Sequence, residues 1–169
     1  AIVVQKEVKL PKDCSMTVIR VEDTRYAMAF IAAAYFGHPA DRLKVIGITG
    51  TKGKTTTTYL VKSILEKAGY KVGLIGTIEA IIGEKHIPAN NTTPESFVLQ
   101  QYFKEMEEAG CQVVVMEVAS QGLKLHRTQG FTFELGIFTN LEPDHIGPNE
   151  HADFEEYQYC KGLLFKQCK

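Results

Sequence analysis

The chain has 169 residues, of which 44% are hydrophobic, enough by length and composition to bury the core of one domain. Nineteen basic against 20 acidic side chains give a net charge of −1, which excludes a broad electrostatic attraction to nucleic acid or an acidic membrane surface. No apolar run reaches the roughly 18–20 residues that cross a bilayer. The four cysteines (Cys14, Cys111, Cys160 and Cys168) form no CxxC pair and no zinc-ligand spacing, so a reduced, cytoplasmic setting is expected. Ala1 already lies in a strand pattern and Lys169 in a helical one, and both ends are expected to be cuts in a longer chain.

Ile2 to Val4 and Thr17 to Val21 read as short β-branched strands around a loop holding Pro11 and Asp13. Asp23 or Thr24 caps a helix through Phe36, closed by Gly37; its run from Ala27 to Phe36 is apolar nearly all round, which predicts a buried helix. The polar stretch His38 to Lys44 reads as a linker between two units. Beyond it strands and helices alternate. Lys44 to Thr49 and Lys71 to Ile75 are strands, and between them Thr55 to Ala68 is a helix with the apolar stripe Leu60, Val61, Ile64, Leu65 and Ala68. Thr77 to Ile87 reads as a hairpin turning at Gly83-Glu84, and Pro94 fits the first position of a helix ending at Gly110. Gln112 to Val118 and Glu134 to Thr139 are apolar strands suited to a sheet covered on both faces, and Asp153 to Cys168 is helical. This alternation predicts an α/β fold, a three-layer domain with a mainly parallel sheet.

Between the strand ending at Thr49 and the following helix stands Gly50-Thr51-Lys52-Gly53-Lys54-Thr55-Thr56. A glycine-rich turn opening a helix gathers backbone N–H groups around one point and cradles phosphate oxygens. Lys54 would reach the terminal phosphates and the Thr55 hydroxyl a magnesium ion, so ATP with Mg2+ is the expected ligand. Ile48 stands where the long form of this P-loop needs its first glycine, so only the short form Gly-x-x-Gly-Lys-Thr is present. Glu117 closes an apolar strand, the place where open α/β sheets bind ligands, and suits a magnesium ligand. Lys161 falls inside the apolar stripe Phe154, Tyr157, Leu164, Phe165 and Cys168 of the last helix. It either snorkels its ammonium to water or is held buried, where desolvation lowers its pKa and favours the neutral amine.

The compact loop resembles that of the Mur ligases, which build the peptide stem of bacterial peptidoglycan. The likeness continues in the family's order through Asn91-Thr92-Thr93-Pro94-Glu95, Met116 to Gln121, Phe138-Thr139-Asn140-Leu141, Asp144 to Pro148, and Tyr157 to Lys161, and Val21 to Arg25 resembles the end of the family's N-terminal domain. The resemblance implies that residues 1–40 are the C-terminal part of a UDP-MurNAc-binding domain. Residues 41–169 would be the first part of the central ATP-binding P-loop domain, truncated, and the C-terminal ligase domain is absent. It also implies an ATP-dependent ligase that activates the terminal carboxylate of UDP-MurNAc-L-Ala-D-Glu as an acyl phosphate. The amine of L-lysine or meso-diaminopimelate then attacks, and the 169 residues alone are expected to be inactive.

Carried over residue by residue, the resemblance assigns nucleotide binding to Gly50 through Thr56. It assigns substrate binding to Asn91, Thr92, Thr93 and Arg127, and metal binding to Thr55, Glu117, His145 and Lys161. Lys54 and Lys161 are the catalytic pair, Lys161 as a carbamate formed from carbon dioxide and its neutral amine. A monomer in the cytoplasm is implied, with no nucleic-acid or membrane partner. There are departures: Ala119 stands where relatives often have serine, and Ile146 to His151 replaces their Leu-Asp-Tyr-His-Gly. A folylpolyglutamate synthase-like ligase and a non-catalytic nucleotide-binding module are the competing readings.

Overall fold

The computed structural model describes residues 1–148 and 150–169. Two short strands, β1 (Ile2–Val4) and β2 (Val18–Arg20), pair in parallel apart from the main sheet. Helix α1 (Thr24–Tyr35) follows, its first turn capped where the Asp23 carboxylate accepts the Tyr26 N–H. The main sheet holds β3 (Lys44–Thr49), β4 (Val72–Ile75), β5 (Glu79–Ile82), β6 (Lys85–Pro88), β7 (Val113–Glu117) and β8 (Leu135–Phe138), in the order β6-β5-β4-β7-β3-β8. From β4 to β8 the pairing is parallel, while β5 and β6 form the antiparallel hairpin that turns at Gly83-Glu84.

Helices α2 (Lys54–Lys67), α3 (Ser96–Glu108), α4 (Ser120–Lys124) and α5 (Phe154–Lys166) complete the domain. The period-two geometry of β7 divides its valines between the two faces. Val113 and Val115 pack with Ile48, Val72 and the α2 residues Val61 and Leu65. Val114 and Met116 pack with Phe103 and Met106 of α3 and Leu164 of α5. Every residue of β7 is buried, as expected for a strand with helices on both faces. The expected three-layer α/β arrangement is therefore observed.

Four local expectations are corrected. Helix α1 is not buried all round: Ala29, Ala32 and Ala33 form its inner face, whereas Met28, Ile31 and Tyr35 are exposed. Small alanines let the helix approach α3 and residue 130 closely, and no layer covers the larger side chains. The stripe of α2 is narrower than its hydrophobic pattern, because Thr58, Val61 and Leu65 turn inward while Leu60 and Ile64 face solvent. The segment read as a linker contains a 3-10 helix, Pro39–Arg42, with Pro39, Ala40 and Leu43 buried and the Arg42 guanidinium paired with Glu107 of α3. Helix α3 begins at Ser96, two residues after Pro94, and the short α4 has no counterpart in the sequence reading.

Helix α1 is fitted against the main domain at Gly130. A Cβ there would stand 2.7 Å from the Ala29 carbonyl oxygen, and the backbone has φ +86°, in the left-handed region. Gly130→Ala is expected to cost on the order of 1–3 kcal/mol, from backbone strain and the lost close approach. Urea unfolding should show a lower midpoint with unchanged far-ultraviolet circular dichroism; an unchanged midpoint would mean that α1 is not held at this point.

Candidate functional site at the carboxyl ends of the central strands

Strands β3 and β7 lie side by side and end together, Ile48 pairing with Glu117. After Thr49 the chain turns through Gly50, at φ +146°, where a Cβ would meet the Thr139 Oγ1 at 2.0 Å. Only glycine fits. Helix α2 then starts at Lys54 behind Gly53 (φ +81°), with no side chain capping its first turn. The N–H groups of that turn lack intrahelical partners, and with the helix dipole they favour an anion.

Lys54 folds over the loop, its Nζ donating to the carbonyls of Gly50 at 2.9 Å and Thr51 at 3.0 Å. Burial holds its pKa below the ordinary lysine range, opposed by the charges of Glu117 and Asp144. Thr55 donates its hydroxyl to the Glu117 Oε2 at 3.0 Å. The remaining loop side chains turn elsewhere. Thr51 is buried against the Tyr157 hydroxyl (3.0 Å), Lys52 pairs on the surface with Glu142, and Thr56 is exposed.

Glu117 is 1% exposed. Besides Thr55, its carboxylate accepts the Thr77 N–H at 2.9 Å and the Thr77 hydroxyl at 3.1 Å. A Cβ on Gly76 would reach 2.6 Å from its Oε1. Two hard oxygen donors, the Thr55 hydroxyl and the Glu117 carboxylate, thus stand together beside the phosphate cradle, a donor set that fits Mg2+. Among the described residues no group of three or more His, Cys, Asp and Glu forms a metal cage.

Lys161 of α5 is 3% exposed, and its Nζ donates to the same Gly50 carbonyl at 2.8 Å, lying 4.3 Å from the Tyr157 ring centre. It does not snorkel. Burial, then the charge of Lys54, pushes its pKa down to about 8. The residue therefore fits carbamate formation, which requires a neutral amine. His145 stands farther out: exposed, in the left-handed region at φ 54°, its Nδ1 3.0 Å from Glu150 and its ring 6.1 Å from that of Tyr157. The structure does not gather it with Glu117.

The residues read as substrate-binding divide. Asn91 is exposed and lines a cavity of about 110 Å³ with Gly76, Pro94 and Tyr102. The Thr92 hydroxyl meets that of Thr77 at 3.0 Å. Thr93 is fully buried, donating to the Glu117 carbonyl (3.1 Å) and accepting the Ala119 N–H (2.9 Å), so its hydroxyl is committed within the chain. The Arg127 guanidinium donates to the Thr93 carbonyl at 3.1 Å and pairs with Glu95 at 2.7 Å; Glu95 also holds Arg25 at 2.9 Å. A larger cavity, about 840 Å³ between Arg20, Asp23, Tyr26 and His126, lies away from the P-loop.

Three participants went unread in the sequence. Thr77, an ordinary residue at the start of the hairpin segment, carries no local signal. Tyr157 lies in a motif noted for Lys161, yet it is the buried link between α5 and Thr51. His151 is fully buried, its Nε2 2.9 Å from the Ser120 Oγ, and desolvation lowers its pKa. Asn149, within the departing segment Ile146 to His151, lies outside the described residues.

Lys161 yields a pH prediction. Below about pH 8 both folded and unfolded states hold the proton and the full burial penalty applies; as pH rises from about 8 toward 10.5 the unfolded state binds more protons, so stability increases. Lys161→Met should remove that rise, a difference of up to about 3 kcal/mol across the window. Paired denaturant titrations of wild type and variant check it, and parallel pH profiles would refute the assignment of a charged, buried amine.

The Mur ligase middle domain family matches residues 48–169. The UDP-N-acetylmuramoyl-L-alanyl-D-glutamate–2,6-diaminopimelate ligase of Clostridium perfringens is 51% identical over 166 residues, covering 98% of this chain and 34% of that protein. The ligase of the same name from Geobacter metallireducens is 46% identical over 99% of this chain and 32% of its own length. A solved structure of a ligase with this name superposes with a TM-score of 0.84 at 26% identity, over 99% of this chain and 33% of that one. A folate complex described as FPGS–AMPPCP shares the fold at a TM-score of 0.64 and 18% identity, covering 86% of this chain and 42% of that one. The chain spans about a third of the length of the curated relatives it matches. Glycine-tight loop, buried Glu117 and match over residues 48–169 agree: the chain belongs to the Mur ligase family, through that family's middle domain.

Proposed function

We propose that this chain supplies the nucleotide-binding and carboxylate-activating part of an ATP-dependent ligase that joins 2,6-diaminopimelate to UDP-MurNAc-L-Ala-D-Glu in the cytoplasm. The observation that carries the reading is the convergence of Lys54, Thr55, Glu117 and Lys161 on the loop at Gly50. The names of the relatives favour diaminopimelate over L-lysine as the amino acid added. In the reaction a carboxylate oxygen attacks the γ-phosphorus of ATP, the bond to ADP breaks, and an acyl phosphate forms. The amine then bonds to the acyl carbon, loses a proton, and phosphate departs.

Each residue of the chain has a part. N–H groups at the start of α2 and the Lys54 ammonium bear the phosphate charge, and preorganised donors of this kind stabilise charge that grows in the transition state. Thr55 and Glu117 would hold Mg2+, which when bound offsets the charge of the transferring phosphate. Lys161 as a carbamate turns a buried cation into an oxygen donor on the same side of the loop, and His145 is the outlying candidate for a second ion. Asn91 and Thr92 face the substrate. Arg127, already paired with Glu95, serves it by exchanging that partner for a substrate carboxylate, while Thr93 acts by fixing the loop. Residues 1–40 are proposed to close a UDP-MurNAc-binding domain and 41–169 to open the ATP-binding one. The separate β1–β2 pair and the exposed Leu135 and Phe138 on the open β8 edge support that division.

The test is phosphate release by the intact protein with ATP, UDP-MurNAc-L-Ala-D-Glu and either diamino acid. Turnover should require the dipeptide and 2,6-diaminopimelate, and Lys54→Met should lower it roughly 100-fold or more. Turnover with a folate in place of the UDP-sugar peptide would overturn the reading. Carbamylation has its own readout: carbon-13 bicarbonate should give a carbamate NMR signal that Lys161→Arg abolishes, and a signal surviving in that variant would place the carbamate elsewhere.

A further inference from the structure

The P-loop is held from outside by the segment that follows β8. Asn140 binds the backbone of one residue twice: its Oδ1 accepts the Lys52 N–H at 2.9 Å and its Nδ2 donates to the Lys52 carbonyl at 3.0 Å. Its own backbone carbonyl accepts the Thr51 N–H at 3.0 Å. Thr139 adds a hydroxyl donated to the Lys52 carbonyl at 2.8 Å, and the Glu142 N–H donates to the Thr51 hydroxyl at 3.0 Å. The two N–H groups at the start of the loop are therefore taken by residue 140.

This divides the loop by role. A phosphate cradle needs its N–H groups aimed at one point, yet glycines at 50 and 53 leave the backbone free to adopt many shapes. A carboxamide carries an acceptor and a donor side by side, so it can satisfy the N–H and the C=O of one residue together. By turning both Thr51 and Lys52 away, Asn140 leaves the N–H groups from Gly53 through Thr56, which α2 itself does not use, to converge on the ligand. We propose that Asn140 is a positioning residue for the nucleotide, shaping the P-loop through the backbone of Lys52 without touching the phosphates. The inference rests on the reading of this loop as an ATP site.

Asn140→Asp keeps the side-chain shape but loses the donor, and it sets a carboxylate against the Lys52 carbonyl; Asn140→Ala loses both side-chain bonds. Binding of MgATP to the intact protein, measured by calorimetry, should weaken at least about tenfold in Asn140→Asp and in Asn140→Ala, a loss of roughly 1.4 kcal/mol or more. Binding of UDP-MurNAc-L-Ala-D-Glu should stay within about twofold, a split that a general structural defect would not produce. Should Asn140→Ala fail to fold, Asn140→Asp decides. MgATP affinity within about twofold of wild type, or equal losses for both ligands, would overturn the inference. Wild-type protein that binds no MgATP would instead refute the ATP-site reading, and this inference with it.

Discussion

A carboxylate buried at the end of the central strand sets the terms for everything around it. Glu117 cannot be desolvated as an anion without donors, since an unpaired buried charge costs several kcal/mol. The fold supplies them from two directions, the Thr55 hydroxyl from α2 and the Thr77 hydroxyl and amide from the segment after β4. Those contacts require β3 and β7 to end level, α2 to start where it does, and residue 76 to lack a side chain. An oxygen-rich, water-poor corner results, with Lys54 near enough to feel its charge.

The two lysines share a constraint. Lys54 and Lys161 both donate to the Gly50 carbonyl, so two ammonium groups converge where the protein offers little water. Desolvation lowers both pKa values, and their mutual repulsion lowers that of Lys161 further. Converting one of them to an anion would turn a repulsive pair into an attractive one. The low pKa of Lys161 thus comes first from its burial and then from the charge of Lys54.

The core of the fold was legible because β7 and β3 are continuous apolar runs punctuated by glycine, and such patterns survive any tertiary context. The loop residues Gly50 to Thr55 were legible for a similar reason: local spacing carries the chemistry. Helix α1 was misread because periodicity reports which residues are apolar and not which face a neighbour covers. The α2 stripe failed likewise, with Thr58 turned inward and Ile64 outward. Thr77 and Asn140 could not be assigned because their partners, Glu117 and Lys52, lie 40 and 88 residues away in the chain. Nor could the sequence show the partners that two of the candidate residues hold within the chain, Glu95 for the Arg127 fork and the Glu117 carbonyl for the Thr93 hydroxyl.

Thr93 joins the segment before α3 to the end of β7. Its hydroxyl bridges the carbonyl of Glu117 and the N–H of Ala119, while Thr92 beside it meets Thr77, itself a donor to the Glu117 carboxylate. Thr93 thus ties the segment 91–94 to the end of β7 on either side of Val118. The backbone that carries Glu117 and the residues beside Asn91 therefore share hydrogen bonds, and neither can be repositioned without breaking some of them.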